Sequence, residues 1–264
     1  MSAPKLPISV TIIALNEEKR IGSAIESVRE WVAEVIVADS GSTDRTREIA
    51  FDLGARVIEK TWQGFGSHKN FAQGHAKSEW VLNIDADERV STELAKEIRE
   101  VLSAPGTEDV VAFRIPRKTW FLGRWVMHGG WYPNYLVRLS RRTLCRWSEP
   151  EVHESLEPIA QSDSSRVSKL MHPLLHYTFE DLRDQIQTNV RYSYQAHLGL
   201  KRRGVPSSVV QLLIRPWVKF LECYFFKLGF LDGLAGFIIA VNAAHSAFLK
   251  YAYGVEDRLE GRAS

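Results

Sequence analysis

The sequence predicts an α/β fold: a mainly parallel sheet flanked by helices, followed by a C-terminal amphipathic helical appendage. Three observations predict it. Short apolar runs alternate with amphipathic stretches through roughly the first hundred residues, as in βα units. Polar clusters follow three of those runs directly. Beyond Pro206 the composition shifts to aliphatic and aromatic residues dotted with cations. A chain of 264 residues can hold such a domain plus an appendage, and the expected division is 1–204 and 205–264.

Ile8 to Ala14 reads as the first strand, Val35 to Ala38 as the second, Ala55 to Glu59 as the third and Trp80 to Ile84 as the fourth. Arg20 to Trp31 and Asp44 to Leu53 read as helices, the latter capped by Ser42 or Thr43 and stopped by Gly54. Leu94, Ile98, Val101 and Leu102 recur at helical spacing behind Ser91 and Thr92, which suit a cap. From Val110 to about Tyr177 the signal is strand-like and rich in Trp, Pro and Gly. Thr178 is the expected cap of a helix running to about Arg203, ended by Gly204 and Pro206.

With 45% hydrophobic and 25% charged residues the chain has a folded protein's composition, which excludes disordered and fibrous classes. Its net charge of +2 is too small to argue for nucleic acid. Cys145 and Cys223 stand far apart without metal-ligand spacing, so a reducing compartment fits. Met1 to Ile8 contains no apolar signal segment, and the expected location is the cytoplasm.

Ligands of open α/β sheets bind beyond the carboxyl ends of the strands. There the chain places Asn16-Glu17-Glu18 after strand one, Asp39-Ser40-Gly41-Ser42-Thr43-Asp44 after strand two, and Asp85-Ala86-Asp87-Glu88 after strand four. Any one of these suits a turn or a helix cap; three at one sheet edge point to a site. Two carboxylates one residue apart can aim oxygens at one hard cation, Mg²⁺ or Mn²⁺, while a nucleotide diphosphate supplies further oxygens. The cation would neutralise charge on the departing diphosphate. A solvated turn is the competing reading of Asp-x-Asp.

The segments Val10-Thr-Ile-Ile-Ala-Leu-Asn-Glu-Glu18, Asp39-Ser-Gly-Ser-Thr-Asp44 and Asn83-Ile-Asp-Ala-Asp-Glu88 together resemble glycosyltransferase family 2, of GT-A fold. Gly129-Gly-Trp-Tyr-Pro133, Val152-His-Glu154 and Leu228-Gly-Phe-Leu-Asp-Gly233 are similar to the branch of small bacterial enzymes building the lipopolysaccharide core, including β-glucosyltransferases. The resemblance implies an inverting hexosyltransferase using a UDP-sugar, with UDP-glucose the expected donor, and a lipid-linked saccharide acceptor. It implies that Leu15, Asn16 and Glu17 line the base and ribose, with Ser40 beside them, and that Asp39 bonds the uracil ring. Asp85 would face ribose or metal, and Asp87 would bind the metal. Lys69 matches a position where a cation faces the donor phosphates, although a lysine on a helix surface is the plainer reading.

Inverting transfer needs a base to take the acceptor hydroxyl's proton. The family's Glu-Asp base motif is absent in that form. Its nearest counterpart by position is Glu151-Val-His-Glu154, with Glu154 the leading candidate and Glu151 the next. A salt-bridged surface carboxylate is the other reading. His176 could return to the metal as a late ligand, or be a buried histidine bonded to a backbone carbonyl. His128, Trp131, Tyr132 and His153 read as an acceptor wall, since aromatic faces suit sugar rings and imidazoles supply hydrogen bonds.

The last segment mixes Trp217, Phe225, Phe226 and Phe237 with Arg215, Lys219 and Lys227, as interfacial helices do. The expectation is a peripheral attachment to the inner face of the plasma membrane. Core packing and a homodimer seam are the competing uses. Two other functions fit less well. A nucleotidyltransferase would carry a Gly-rich basic loop after strand one, where this chain has Asn16-Glu17-Glu18. A catalytically inactive scaffold would not need Asp39, Asp85 and Asp87 together.

Overall fold

The computed structural model describes residues 4–149, 154–159 and 166–261. The chain divides into two compact units, one of residues 1–117 and 135–176, the other of 118–134 and 177–264. The expected boundary at residue 204 is therefore not where the contacts part. The hairpin at 118–134 and the helix before residue 204 belong with the C-terminal helices.

In the first unit β1 (Leu6–Ala14), β2 (Val32–Asp39), β3 (Arg56–Glu59) and β4 (Trp80–Asp85) run parallel in the order β3-β2-β1-β4. Their near-continuous apolar character follows from burial on both faces; Ile8, Val10, Ile12, Ile36, Val37, Val81 and Leu82 are fully buried. The sheet continues through antiparallel β8 (Asn134–Arg141) to β6 (Val110–Phe121), then to β12 (Leu174–His176) and β5 (Glu88–Val90). β11 (Arg166–Lys169) flanks β6, and β9 (Cys145–Trp147) with β10 (Leu156–Pro158) forms a separate two-stranded ribbon.

Helices α1 (Ile21–Glu26), α2 (Thr46–Asp52), α3 (Phe65–Gly74) and α4 (Thr92–Ser103) complete this unit. The first is shorter than its apolar pattern predicts. Ser27 Oγ turns back onto the Ala24 carbonyl and accepts the amide of Val90, so residues 27–31 leave the helix as a turn. Ser91 caps α4 as expected, accepting the Leu94 amide. Ser42 and Thr43 do not cap α2; Asp44 accepts the Thr46 amide instead.

α3 holds the ribbon through paired amides. Asn70 exchanges two bonds with Trp147, and Gln73 donates to the carbonyls of Arg142 and Cys145. Gly66 makes this approach possible, because a Cβ there would lie 2.0 Å from the Ser148 carbonyl oxygen.

In the second unit β6 pairs with β7 (Arg124–Val126), and α5 (Leu182–Arg202), α6 (Val209–Leu221) and α7 (Gly233–Leu259) pack together. Asp181, not Thr178, caps α5: its side chain accepts the Asp184 amide. Asp232 is buried and accepts the amides of Met127 and His128, with His128 Nδ1 3.3 Å away. Gly229 and Gly236 admit backbone contacts that any side chain would block. These bonds give the Leu228 to Gly233 segment a structural purpose. Trp131 packs with Phe121 and Phe179, so in this unit it is an aromatic core contact. The acceptor wall expected of His128 and Trp131 thus meets residues already engaged, one with Asp232 and one with its aromatic neighbours. Tyr132 is half-buried and precedes a cis peptide bond to Pro133.

Candidate active site

The order β3-β2-β1-β4 places a topological switch point at β1, where crossovers leave in both directions and open a crevice at the carboxyl edge. Register brings the predicted clusters together there: Ala14 lies opposite Asp39, and Ile13 opposite Asp85.

The loops after β1 and β2 clasp each other. Asn16, with φ of 55°, donates its amide to Ser42 Oγ and accepts the Thr43 amide on Oδ1. Asparagine tolerates that left-handed backbone better than most residues. The Glu17 amide donates to Thr46 Oγ1 and the Glu18 amide to Asp44. Asp39 is fully buried; its carboxylate accepts the amides of Gly41 and Ser42 and the hydroxyl of Ser42. These three bonds leave Asp39 Oδ2 with a single hydrogen-bond donor among the described residues, the Ser42 hydroxyl. The carboxylate shapes the loop that would receive the base. Ser40 Oγ lies 3.1 Å from Nε2 of buried His68, whose burial lowers its pKa. Leu15, directly after β1, is 50% exposed.

Lys69 is buried and is not a surface lysine. It is 5% exposed, with Nζ 2.9 Å from Glu154 Oε1, 3.3 Å from Asp85 Oδ1 and 4.4 Å from the centre of the Trp147 ring. A buried ammonium requires such partners. One cation therefore connects the first carboxylate of Asp-Ala-Asp with the leading candidate for the base.

The two aspartates diverge. Asp85 Oδ2 receives Arg138 Nη2 at 2.6 Å, and the same nitrogen lies 2.8 Å from buried Glu88. Burial opposes ionisation of Asp85, yet Arg138, then Lys69, hold its carboxyl far below the usual range. Asp87 faces the other way, its Oδ2 3.2 Å from His176 Nε2. Burial again opposes ionisation, and the hydrogen bond and charge of His176 outweigh it, so the pKa is lowered. Burial pushes Glu17 up, and the Asp87 charge adds to the push against Arg20.

Asp87 and His176 form a carboxylate–imidazole pair of the kind that suits Mn²⁺ or Mg²⁺ with oxygen co-ligands. Asp85, expected to share the cation, is turned to Arg138 and Lys69. Among the described residues no three His, Cys, Asp or Glu side chains gather as a complete cation site. Glu151 and His153 lie outside the described residues, and His128, Trp131 and Tyr132 lie in the second unit.

Arg138 and Trp147 pack against the candidate site, and sequence reasoning missed both. A signal existed for the first: Arg138 interrupts the run Leu136-Val137-Arg138-Leu139, and a lone charge in a buried strand requires a partner.

Residues 9–152 match the family model for glycosyl transferase family 2. The lipopolysaccharide core biosynthesis glycosyltransferase LpsC of Rhizobium meliloti is 33% identical over 259 residues, covering 93% of this chain and 91% of that protein. An uncharacterized glycosyltransferase of Rickettsia typhi is 31% identical over 261 residues, covering 97% of this chain and 89% of its own. Among solved structures, glucosyl-3-phosphoglycerate synthase from Mycobacterium tuberculosis in complex with Mn²⁺, UDP-glucose and phosphoglyceric acid is 30% identical over 44% of each chain, with a TM-score of 0.35. Matched by the family model over more than half its length and by relatives nearly end to end, the chain belongs to glycosyl transferase family 2 and has its GT-A fold.

Proposed function

We propose that the protein is an inverting, metal-dependent hexosyltransferase that moves glucose from UDP-glucose to a lipid-linked saccharide of the lipopolysaccharide core. It works at the inner face of the plasma membrane, attached through its C-terminal helices. The observation that carries the reading is the chain Asp85–Lys69–Glu154 beside the pair Asp87–His176, all at the carboxyl edge of one sheet. The near end-to-end similarity to LpsC supports the acceptor class.

Glu154 takes the acceptor hydroxyl's proton as that oxygen bonds to the anomeric carbon and the bond from that carbon to the diphosphate breaks. In the donor-free state Lys69 occupies Glu154, its ammonium 2.9 Å from Oε1. Donor phosphates compete for the same ammonium, so donor binding draws Lys69 off and leaves the Glu154 carboxylate to the acceptor hydroxyl. Asp85, fixed by Arg138, keeps Lys69 within reach of both partners. Asp87 and His176 would hold the divalent cation, which supplies charge neutralisation at the leaving diphosphate. A catalytically silent scaffold has no use for a buried lysine shared between two carboxylates.

Thermal-shift screening of UDP-, GDP- and CMP-sugars with and without Mn²⁺ tests this reading. Stabilisation by UDP-sugars that requires Mn²⁺ is the expected result. Asp87→Asn is expected to lose the Mn²⁺-dependent part of that shift while remaining folded when metal-free. An undiminished Mn²⁺ shift in the variant would remove Asp87 from the metal site. A shift with GDP- or CMP-sugars alone would overturn the donor.

A further inference from the structure

We propose that a groove between α5, α6 and α7 binds the phosphate of an anionic lipid headgroup, while the exposed stripe of α6 enters the same lipid surface. This rests on the membrane attachment proposed above and gives it a binding site.

The groove is a cavity of about 460 Å³ within the second unit, lined among others by Asn189, Tyr192, Arg215, Lys219, Glu222 and Lys250. Three cations line it against one carboxylate. Glu222 is committed, paired with Lys219 at 3.1 Å and with Lys227 at 2.6 Å. Lys227, then Lys219, hold its pKa low. Arg215 and Lys250 have no acidic partner among the described residues; Lys250 lies 4.6 Å from the Tyr251 ring centre. An arginine fork and a lysine ammonium across one cleft suit a phosphate.

The same helix shows where that phosphate comes from. None of the 13 residues of α6 is buried. Val210, Leu213, Ile214, Trp217 and Leu221 recur at helical spacing and are 44–70% exposed, and Phe226 beyond them is 82% exposed. On α7, Leu234, Phe237, Val241 and Phe248 form a second exposed stripe. Residues 229–259 have the length and composition needed to cross a membrane, with a mean hydropathy of 1.3 over an 18-residue window. Large exposed apolar faces need an occupant. A second copy of the chain would meet this patch with the same patch, which carries the same cations Arg215 and Lys250. An anionic lipid surface complements the charge and accepts the aromatic rings together.

Co-sedimentation of the full chain with phosphatidylcholine vesicles, with and without phosphatidylglycerol, at low and high salt tests the proposal. Arg215→Gln/Lys250→Gln is expected to weaken binding to phosphatidylglycerol vesicles about twenty-five-fold, at about fivefold per charge. Its residual binding should lose most of its salt dependence. Arg215→Lys/Lys250→Arg should keep most of the affinity, and all variants should melt near the wild type. Trp217→Ser/Phe226→Ser should weaken binding to both vesicle types. If the Gln variant binds as the wild type does, the groove is not the headgroup site, though the membrane attachment stands. If the wild type binds neither vesicle and sediments as a dimer that Trp217→Ser/Phe226→Ser dissociates, groove and attachment fall together.

Discussion

Glu154→Gln is expected to lower kcat by about 10²- to 10⁴-fold while leaving UDP-sugar affinity close to the wild-type value. The amide oxygen of glutamine can still accept the Lys69 ammonium, so the chain from Asp85 through Lys69 keeps its geometry. What is lost is the site that takes the acceptor's proton. Steady-state kinetics of transfer, with UDP-sugar binding measured separately, separate the two roles. A large fall in UDP-sugar affinity with little change in kcat would make Glu154 an anchor for Lys69 and not the base. If Glu151→Gln carries the kcat loss instead, the base is Glu151.

Arg138→Met is expected to cost about 3–5 kcal/mol of unfolding free energy, the usual result of removing one partner from a buried ionic cluster. Arg138 is 3% exposed, and its Nη2 serves both Asp85 and fully buried Glu88. Without it Asp85 retains Lys69, and Glu88 retains Arg117 at 3.3 Å. Urea unfolding at neutral pH measures the loss, and a change under about 1 kcal/mol would mean that water or local rearrangement replaces the guanidinium. The pH dependence follows from the same cluster. Asp85 and Asp87 have lowered pKa values in the folded chain, so near pH 4 the unfolded chain binds protons that the folded chain refuses. Their contribution is therefore present above the ordinary aspartate pKa of about 3.9 and is lost as pH falls below it. The variant should show a shallower acid-side slope than the wild type, because Arg138 is the leading favourable partner of Asp85.

The sequence by itself determined the first half of the sheet and the edge where ligands would bind. β1, β2 and β4 are covered on both faces, so each is an apolar run that ends abruptly in polar residues, and these local signals name Asn16, Asp39, Asp85 and Asp87. It also marked the chain after Pro206 as apolar and cationic, because exposed stripes keep their helical period. Tertiary structure decided which of those groups face one another. Lys69 became a buried partner of Asp85 and Glu154 because Gly66, Asn70 and Gln73 bring α3 against the ribbon 85 positions or fewer downstream, a contact that no local pattern encodes. Arg138 separated the two aspartates of Asp-Ala-Asp from another strand, turning one to a guanidinium and leaving the other to His176. Asp39 accepts three short-range bonds within its own loop, whose geometry composition does not specify. Charge pairing across a sheet depends on register and burial, which exist only once the chain has closed on itself.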